Sequence, residues 1–149
     1  MGYANVVVGT DGSATAELAV RQASTLAKDH GARLVIVTAY EPQRRDDLDE
    51  VDKVPKDLQW MLTDRSQAEE KARHGKEIAA EVGAERVSVQ AIEGEPGDVL
   101  LEAAADFGAD CIVVGSRGLT ATLHAVMGSV ASSVAHHAPC DVLIVHTTA

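Results

Sequence analysis

The chain has 149 residues, 13 of them basic and 23 acidic, for a formal charge of −10. At ~150 residues per domain it reads as one domain, 1–149, able to bury roughly 70% of its unfolded surface without a metal or disulfide staple. Its 46% apolar content is globular and not disordered, and its negative field disfavours binding to nucleic acid or an anionic membrane.

Five short apolar runs alternate with helix-like stretches. Val6–Val8 is the first run, followed by Gly9-Thr10-Asp11-Gly12-Ser13. A helix is predicted from about Ala14 to His30, with Ser13 as N-cap and Gly31 as the stop. Ala16, Ala19, Val20, Ala23, Leu26 and Ala27 keep one of its faces apolar. The second run is Leu34–Tyr40. Residues 41–57, EPQRRDDLDEVDKVPKD, then break the alternation. They are charged and lack apolar period, and read as a solvated loop or as a lid over a site after the second strand.

A second helix is predicted from roughly Leu58 to Val82, ending at Gly83. Trp60, Met61 and Leu62 read as its packing residues. The third run, Arg86–Ile92, alternates polar and apolar, so one face should be wet, as on an edge strand. A third helix starts near Pro96, a good first-turn residue, and stops at Gly108. Leu100, Ala103, Ala104 and Phe107 form its apolar face. Cys111–Val114 is the fourth run. A fourth helix follows Gly128, with Val126, Val130 and Val134 one turn apart, and Pro139 ends it before the last run, Val142–His146. Continuous β-branched runs suit strands buried on both faces, so the fold class is α/β, a doubly wound, mostly parallel sheet.

Ligands in such sheets bind beyond the carboxyl ends of the strands. Two glycine-bearing loops fall there. One is Gly9 to Ser13. The other is Gly115-Ser116-Arg117-Gly118, which runs through nine residues, Leu119–Met127, to Gly128-Ser129 at the start of the fourth helix. Glycines let backbone approach a ligand and supply positive φ, and free amides at a helix start attract phosphate. Ser129 adds a hydroxyl. Arg117 and Arg86 are the only basic residues after position 85, against seven acidic ones, so backbone amides must do much of any anion binding. Asp11 reads either as a turn or N-cap residue or as an acceptor for a base, ribose or metal–phosphate contact.

Other nucleotide motifs are missing. There is no G-x4-G-K-[ST], and no G-x-G-x-x-G after the first run. Ser13 stands where a haloacid-dehalogenase phosphatase needs its second Asp. Val114 to Gly118 only approaches a nucleophile elbow. The six histidines, His30, His74, His124, His136, His137 and His146, match no metal-ligand spacing and read as solvated or capping groups near helix ends. Cys111 and Cys140 read as free thiols in a reducing cytoplasm. Met1 to Asn5 carries no basic residue, unlike a targeting signal, and no apolar run is long enough to cross a bilayer.

With VVVGTDGS, LVIVTAY and CIVVGSRGL…GSVASSVAHHAPCDVLIVH, the chain resembles the ATP-binding branch of the universal stress proteins over nearly its whole length. Gly115, Gly118, Gly128 and Ser129 fill that family's G-x2-G-x9-G-[ST] pattern. The resemblance implies a five-stranded parallel sheet of order 3-2-1-4-5 with four helices (Rossmann-like). It also implies an adenine nucleotide, ATP first and AMP or cyclic AMP as alternatives; Mg enters only with the metal-dependent ATPase alternative below. By position, Gly9, Thr10 and Asp11 would meet the adenosine, and Ala39 would line the adenine pocket. Val114 and Gly115 would flank the ribose or phosphate. Arg117 and the amides of Gly118, Ser129 and Val130 would hold the phosphates.

A last strand at the sheet edge, apolar and without Lys or Pro guards, predicts a homodimer paired through Val142–Val145, which the resemblance also implies. Neither Gly9–Ser13 nor Gly115–Gly118 contains a His or Glu, so binding in stress response or signalling is expected rather than efficient turnover. A slow metal-dependent ATPase using Asp11 is the alternative.

Overall fold

The computed structural model describes residues 2–41, 64–116 and 128–146. Five strands, β1 (Asn5–Gly9), β2 (Arg33–Tyr40), β3 (Val87–Glu93), β4 (Cys111–Gly115) and β5 (Asp141–Val145), form one sheet of order β3-β2-β1-β4-β5. Every pairing is parallel. Among the described residues the helices are α1 (Ala14–His30), α2 (Asp64–Val82), α3 (Pro96–Phe107) and α4 (Ser129–His137). The expected doubly wound sheet and its strand order are therefore present. Leu58–Thr63, loop 42–57 and Val126 lie outside the described residues, as do Trp60, Met61, Leu62 and His124.

The alternation of side chains along each strand divides the core. Val6, Val8, Leu34, Ile36, Cys111 and Val113 join α1 and α2 in one layer. Val7, Val35, Val37, Ile112 and Val114 join α3 and α4 in the other. All but Val114 of these eleven strand residues are at most 1% exposed. Burial on both faces explains why the runs are continuously apolar; each such Val contributes about 1.5 kcal/mol or more.

The predicted helix ends carry their expected chemistry. Ser13 accepts the Ala16 N–H at 3.1 Å, capping α1. Gly31 and Gly108 end α1 and α3 in the left-handed conformation, with φ of 64° and 62°, where a Cβ is disfavoured.

Two edges differ in detail from the sequence reading. β3 is an edge strand, but its second face is not uniformly wet. Ile92 packs against the α3–α4 layer, and Ser88 Oγ is buried with no hydrogen-bond partner. β5 forms the other edge; Val142 and Ile144 pack against the α3–α4 layer, while Asp141 and Leu143 are exposed. No described helix is long and apolar enough to cross a membrane.

Candidate functional site

Strand register alone opens a site. Gly9, Val37, Ala39 and Val114 all continue the α3–α4 layer to the carboxyl ends of β1, β2 and β4. There the layer opens into a cavity of about 330 Å³. Pro96, Val99 and Leu100 of α3 close one side, and Ser129, Val130 and Ala131 of α4 another. Thr10, Asp11, Ser13 and Ala16 complete the rim from the first loop and the first turn of α1. β1 is the strand from which the chain first winds to one side, through α1 to β2, while α3 brings it to β4 on the other side. The cavity thus lies at the switch point of the sheet.

The sequence-predicted residues Gly9, Thr10, Asp11, Ala39, Val114, Gly115, Ser129 and Val130 all line this one cavity. Gly128 stands just beside it as the N-cap of α4. Arg117 and Gly118 lie outside the described residues. Val37, Val99, Leu100 and Ala131 were not singled out from sequence as lining residues. Their apolar periodicity is that of ordinary core, and only the register shows that the core ends there in open space.

The α4 end is built for an acceptor. Gly128 donates its N–H to Ser116 O at 2.8 Å, and Ser116 donates its N–H to Val145 O at 2.8 Å, so the start of α4 is tied to the ends of β4 and β5. The first intrahelical bond runs from Ser132 N–H to Gly128 O at 3.0 Å. The amides of Ser129, Val130 and Ala131 therefore precede the helical ladder and have no intrahelical acceptor. These same three residues line the cavity. Gly128 itself has φ −61° and ψ 160°, a conformation open to any residue. Of the two uses of glycine named from sequence, close backbone approach and positive φ, the second is not the one Gly128 serves.

The first loop is shaped by its own side chains. Thr10 N–H donates to Val37 O at 2.9 Å. Gly12 N–H donates to Thr10 Oγ1 at 3.1 Å, and Ser13 N–H to Asp11 Oδ1 at 2.9 Å. Asp11 is thus a turn-forming residue, since a short carboxylate can bond the backbone two residues on. Gly12 takes the positive φ, 81°. Gly9 has another purpose. A Cβ there would stand 2.9 Å from Leu100 Cδ1, so the missing side chain lets α3 pack on β1.

Other candidates fall elsewhere. His30 accepts the Tyr3 N–H through Nδ1, and His137 bonds Ser133 O in the last turn of α4. His74 departs from the expected place at a helix end: it lies mid-helix in α2 and bonds Glu17 of α1, because the α1–α2 contact brings a carboxylate to it. Cys111 and Cys140 are free thiols at the opposite end of the sheet. Burial pushes the Cys111 thiol up to about 11. Among the described residues no group of three His, Cys, Asp or Glu is placed to hold a metal ion.

Against known proteins, the description "Universal stress protein family" matches residues 2–146. The chain belongs to the universal stress protein family. The universal stress protein Rv1636 of Mycobacterium tuberculosis is 39% identical over 146 residues, covering 98% of each chain. Among solved structures, a universal stress protein in complex with cAMP is 33% identical, with a TM-score of 0.75, covering 99% of this chain and 100% of the other. The universal stress protein UspA from Lactobacillus plantarum gives a TM-score of 0.78 at 25% identity, over 97% and 99% of the two chains.

Proposed function

We propose that this member of the family binds an adenine nucleotide, ATP first, in the cavity between β1, β4 and the start of α4. The supporting observation is the trio of amides at Ser129, Val130 and Ala131, which have no intrahelical acceptor and belong to residues lining the cavity. Such amides, with a helix dipole behind them, stabilise phosphate without a basic side chain. That matters in a chain of charge −10. The wall of Val37, Ala39, Val99, Leu100 and Val114 is suited to a purine and ribose; Thr10 and Asp11 supply polar groups beside it. Gly115, Gly118 and Arg117 complete the phosphate loop in this reading.

Cyclic AMP is the second reading, favoured by the 33% identical relative that was solved with cAMP. Signalling or stress response without efficient turnover fits the described lining, whose one carboxylate, Asp11, already shapes its own turn. Efficient phosphoryl transfer needs an oriented water and further charge stabilisation. If Mg accompanies ATP, Asp11 is the oxygen donor at the cavity that suits it. A homodimer through Val142–Val145 and a reducing cytoplasm complete the proposal.

The test is calorimetry with ATP, cyclic AMP and adenosine. Because Ala can adopt the Gly128 backbone, Gly128→Ala should keep the fold and abolish nucleotide binding. Arg117→Ala should weaken ATP more than adenosine. Unchanged binding by folded Gly128→Ala would remove the α4 start from the site.

A further inference from the structure

On the α1–α2 side, α2 presses three residues against the first loop and the start of α1. The stem of Lys71 covers Gly12: a Cβ on that glycine would stand 2.8 Å from Lys71 Cγ. Gly75 allows close approach to Ile36 and Thr10, which a Cβ would meet at 3.0 and 3.9 Å. Between them, His74 links the two helices. Its Nε2 lies 2.9 Å from Glu17 Oε1 in the first turn of α1, and its Nδ1 lies 3.6 Å from Glu77 Oε2. Ser13 and Ala16, which belong to the same turn as Glu17, line the cavity.

A neutral imidazole has a single N–H, so one ring nitrogen would turn a lone pair towards a carboxylate. The imidazolium donates from both nitrogens. The surrounding charges reinforce that preference. From α1 come Glu17 and Arg21, but Arg21 is engaged by Glu81. From α2 come Glu70, Lys71, Arg73 and Glu77, of which Glu70 and Arg73 pair with each other. The hydrogen bond to Glu17 holds His74 above its ordinary 6.5, against a smaller opposing effect of desolvation.

We propose that His74 is a positioning residue: as imidazolium it ties the first turn of α1 to α2 and cancels one negative charge behind the first loop, so an anionic nucleotide binds more tightly when His74 is protonated. This rests on the nucleotide-binding reading. A unit charge acting over roughly 10 Å of water-like dielectric changes affinity about twofold at low ionic strength, the condition of the test below. The half-exposed setting of the pair keeps the effect at that scale.

Cyclic AMP is the probe, because its phosphodiester holds one charge across the range tested, whereas the terminal phosphate of ATP titrates within it. Calorimetry at low ionic strength from pH 6 to pH 9 should find wild-type affinity for cyclic AMP falling about twofold as His74 deprotonates, with no such slope for adenosine. His74→Gln should remove the slope. His74→Lys should also remove it, but hold affinity at the low-pH value. Glu17→Gln should lower the His74 titration midpoint, followed by NMR of the ring protons. A cyclic AMP slope that is absent in the wild type, or unchanged in His74→Gln, overturns this proposal alone. A folded wild-type protein that binds no adenine nucleotide overturns the functional reading and this proposal with it.

Discussion

Gly9→Ala tests whether the glycine at the end of β1 serves helix packing. The added Cβ would stand 2.9 Å from Leu100 Cδ1, 3.0 Å from Cδ2 and 3.3 Å from Cγ. Ordinary carbon–carbon contact is about 3.5–4.0 Å. Both methyls and the branch carbon are too close, so turning the isobutyl group replaces one clash with another. Leu100 is 4% exposed and cannot swing into solvent, so the start of α3 must move. Overpacking of this kind costs about 1–3 kcal/mol. For a chain of this length, a loss of about 2 kcal/mol lowers Tm by roughly 4–8 °C. Leu100→Ala alone should cost about 2–5 kcal/mol, because it leaves a hole. In the double variant the new methyl and the vacated space meet. Urea unfolding without nucleotide should therefore show the double variant losing at least about 1 kcal/mol less than the sum of the two single losses. Additivity within about 0.5 kcal/mol would refute the packing argument and return Gly9 to a purely ligand-facing role.

Two further outcomes are expected. In sedimentation at micromolar concentration the wild type should run as a dimer and Leu143→Lys as a monomer, since Leu143 is 39% exposed on the β5 edge and a Lys guards an edge against pairing; a monomeric wild type would sink the dimer. Burial, with Cys140 and Asp141 adding to it, raises the Cys111 thiol to about 11. Its folded pKa thus exceeds the unfolded value near 9, so its contribution to stability is complete below pH 9 and is lost as pH climbs towards 11. At pH 8 iodoacetamide should modify at most Cys140 in the folded protein and both thiols after unfolding, read by mass spectrometry. A doubly labelled native protein would contradict the burial.

The strands and the described helix ends were legible because they depend on local rules. VVV and CIVV are apolar without alternation, as burial on both faces demands, and Ser13, Gly31 and Gly108 mark helix ends by their own conformational preferences. The candidate cavity was legible where glycine spacing and a helix start coincide, at Gly115 and Ser129, with Gly128 beside them as N-cap. It was illegible at Val99, Leu100 and Ala131, whose chemistry is that of any core residue. The reason for Gly9 was also hidden, since its partner Leu100 is 91 positions away. His74 was misread for a related reason. Its partner Glu17 comes from another helix, and nothing in the spacing within α2 announces that contact.

The position of the cavity follows from the same alternation that builds the core. Val7 and Gly9 lie on one face of β1, and Ile112 and Val114 on the same face of β4. Further down, α3 and α4 fill the space above those residues. At the carboxyl end Gly9 carries no side chain and α4 is only beginning, so the layer runs out of atoms just where free amides come into reach. An apolar wall and an anion-seeking helix end are therefore not two devices brought together. They are one consequence of where a helix starts relative to a parallel strand. On the proposed reading, a strongly acidic chain would hold phosphate in this way: backbone amides keep their partial positive charge whatever the side-chain composition, and they would act at short range, where the diffuse field of distant carboxylates is screened by salt.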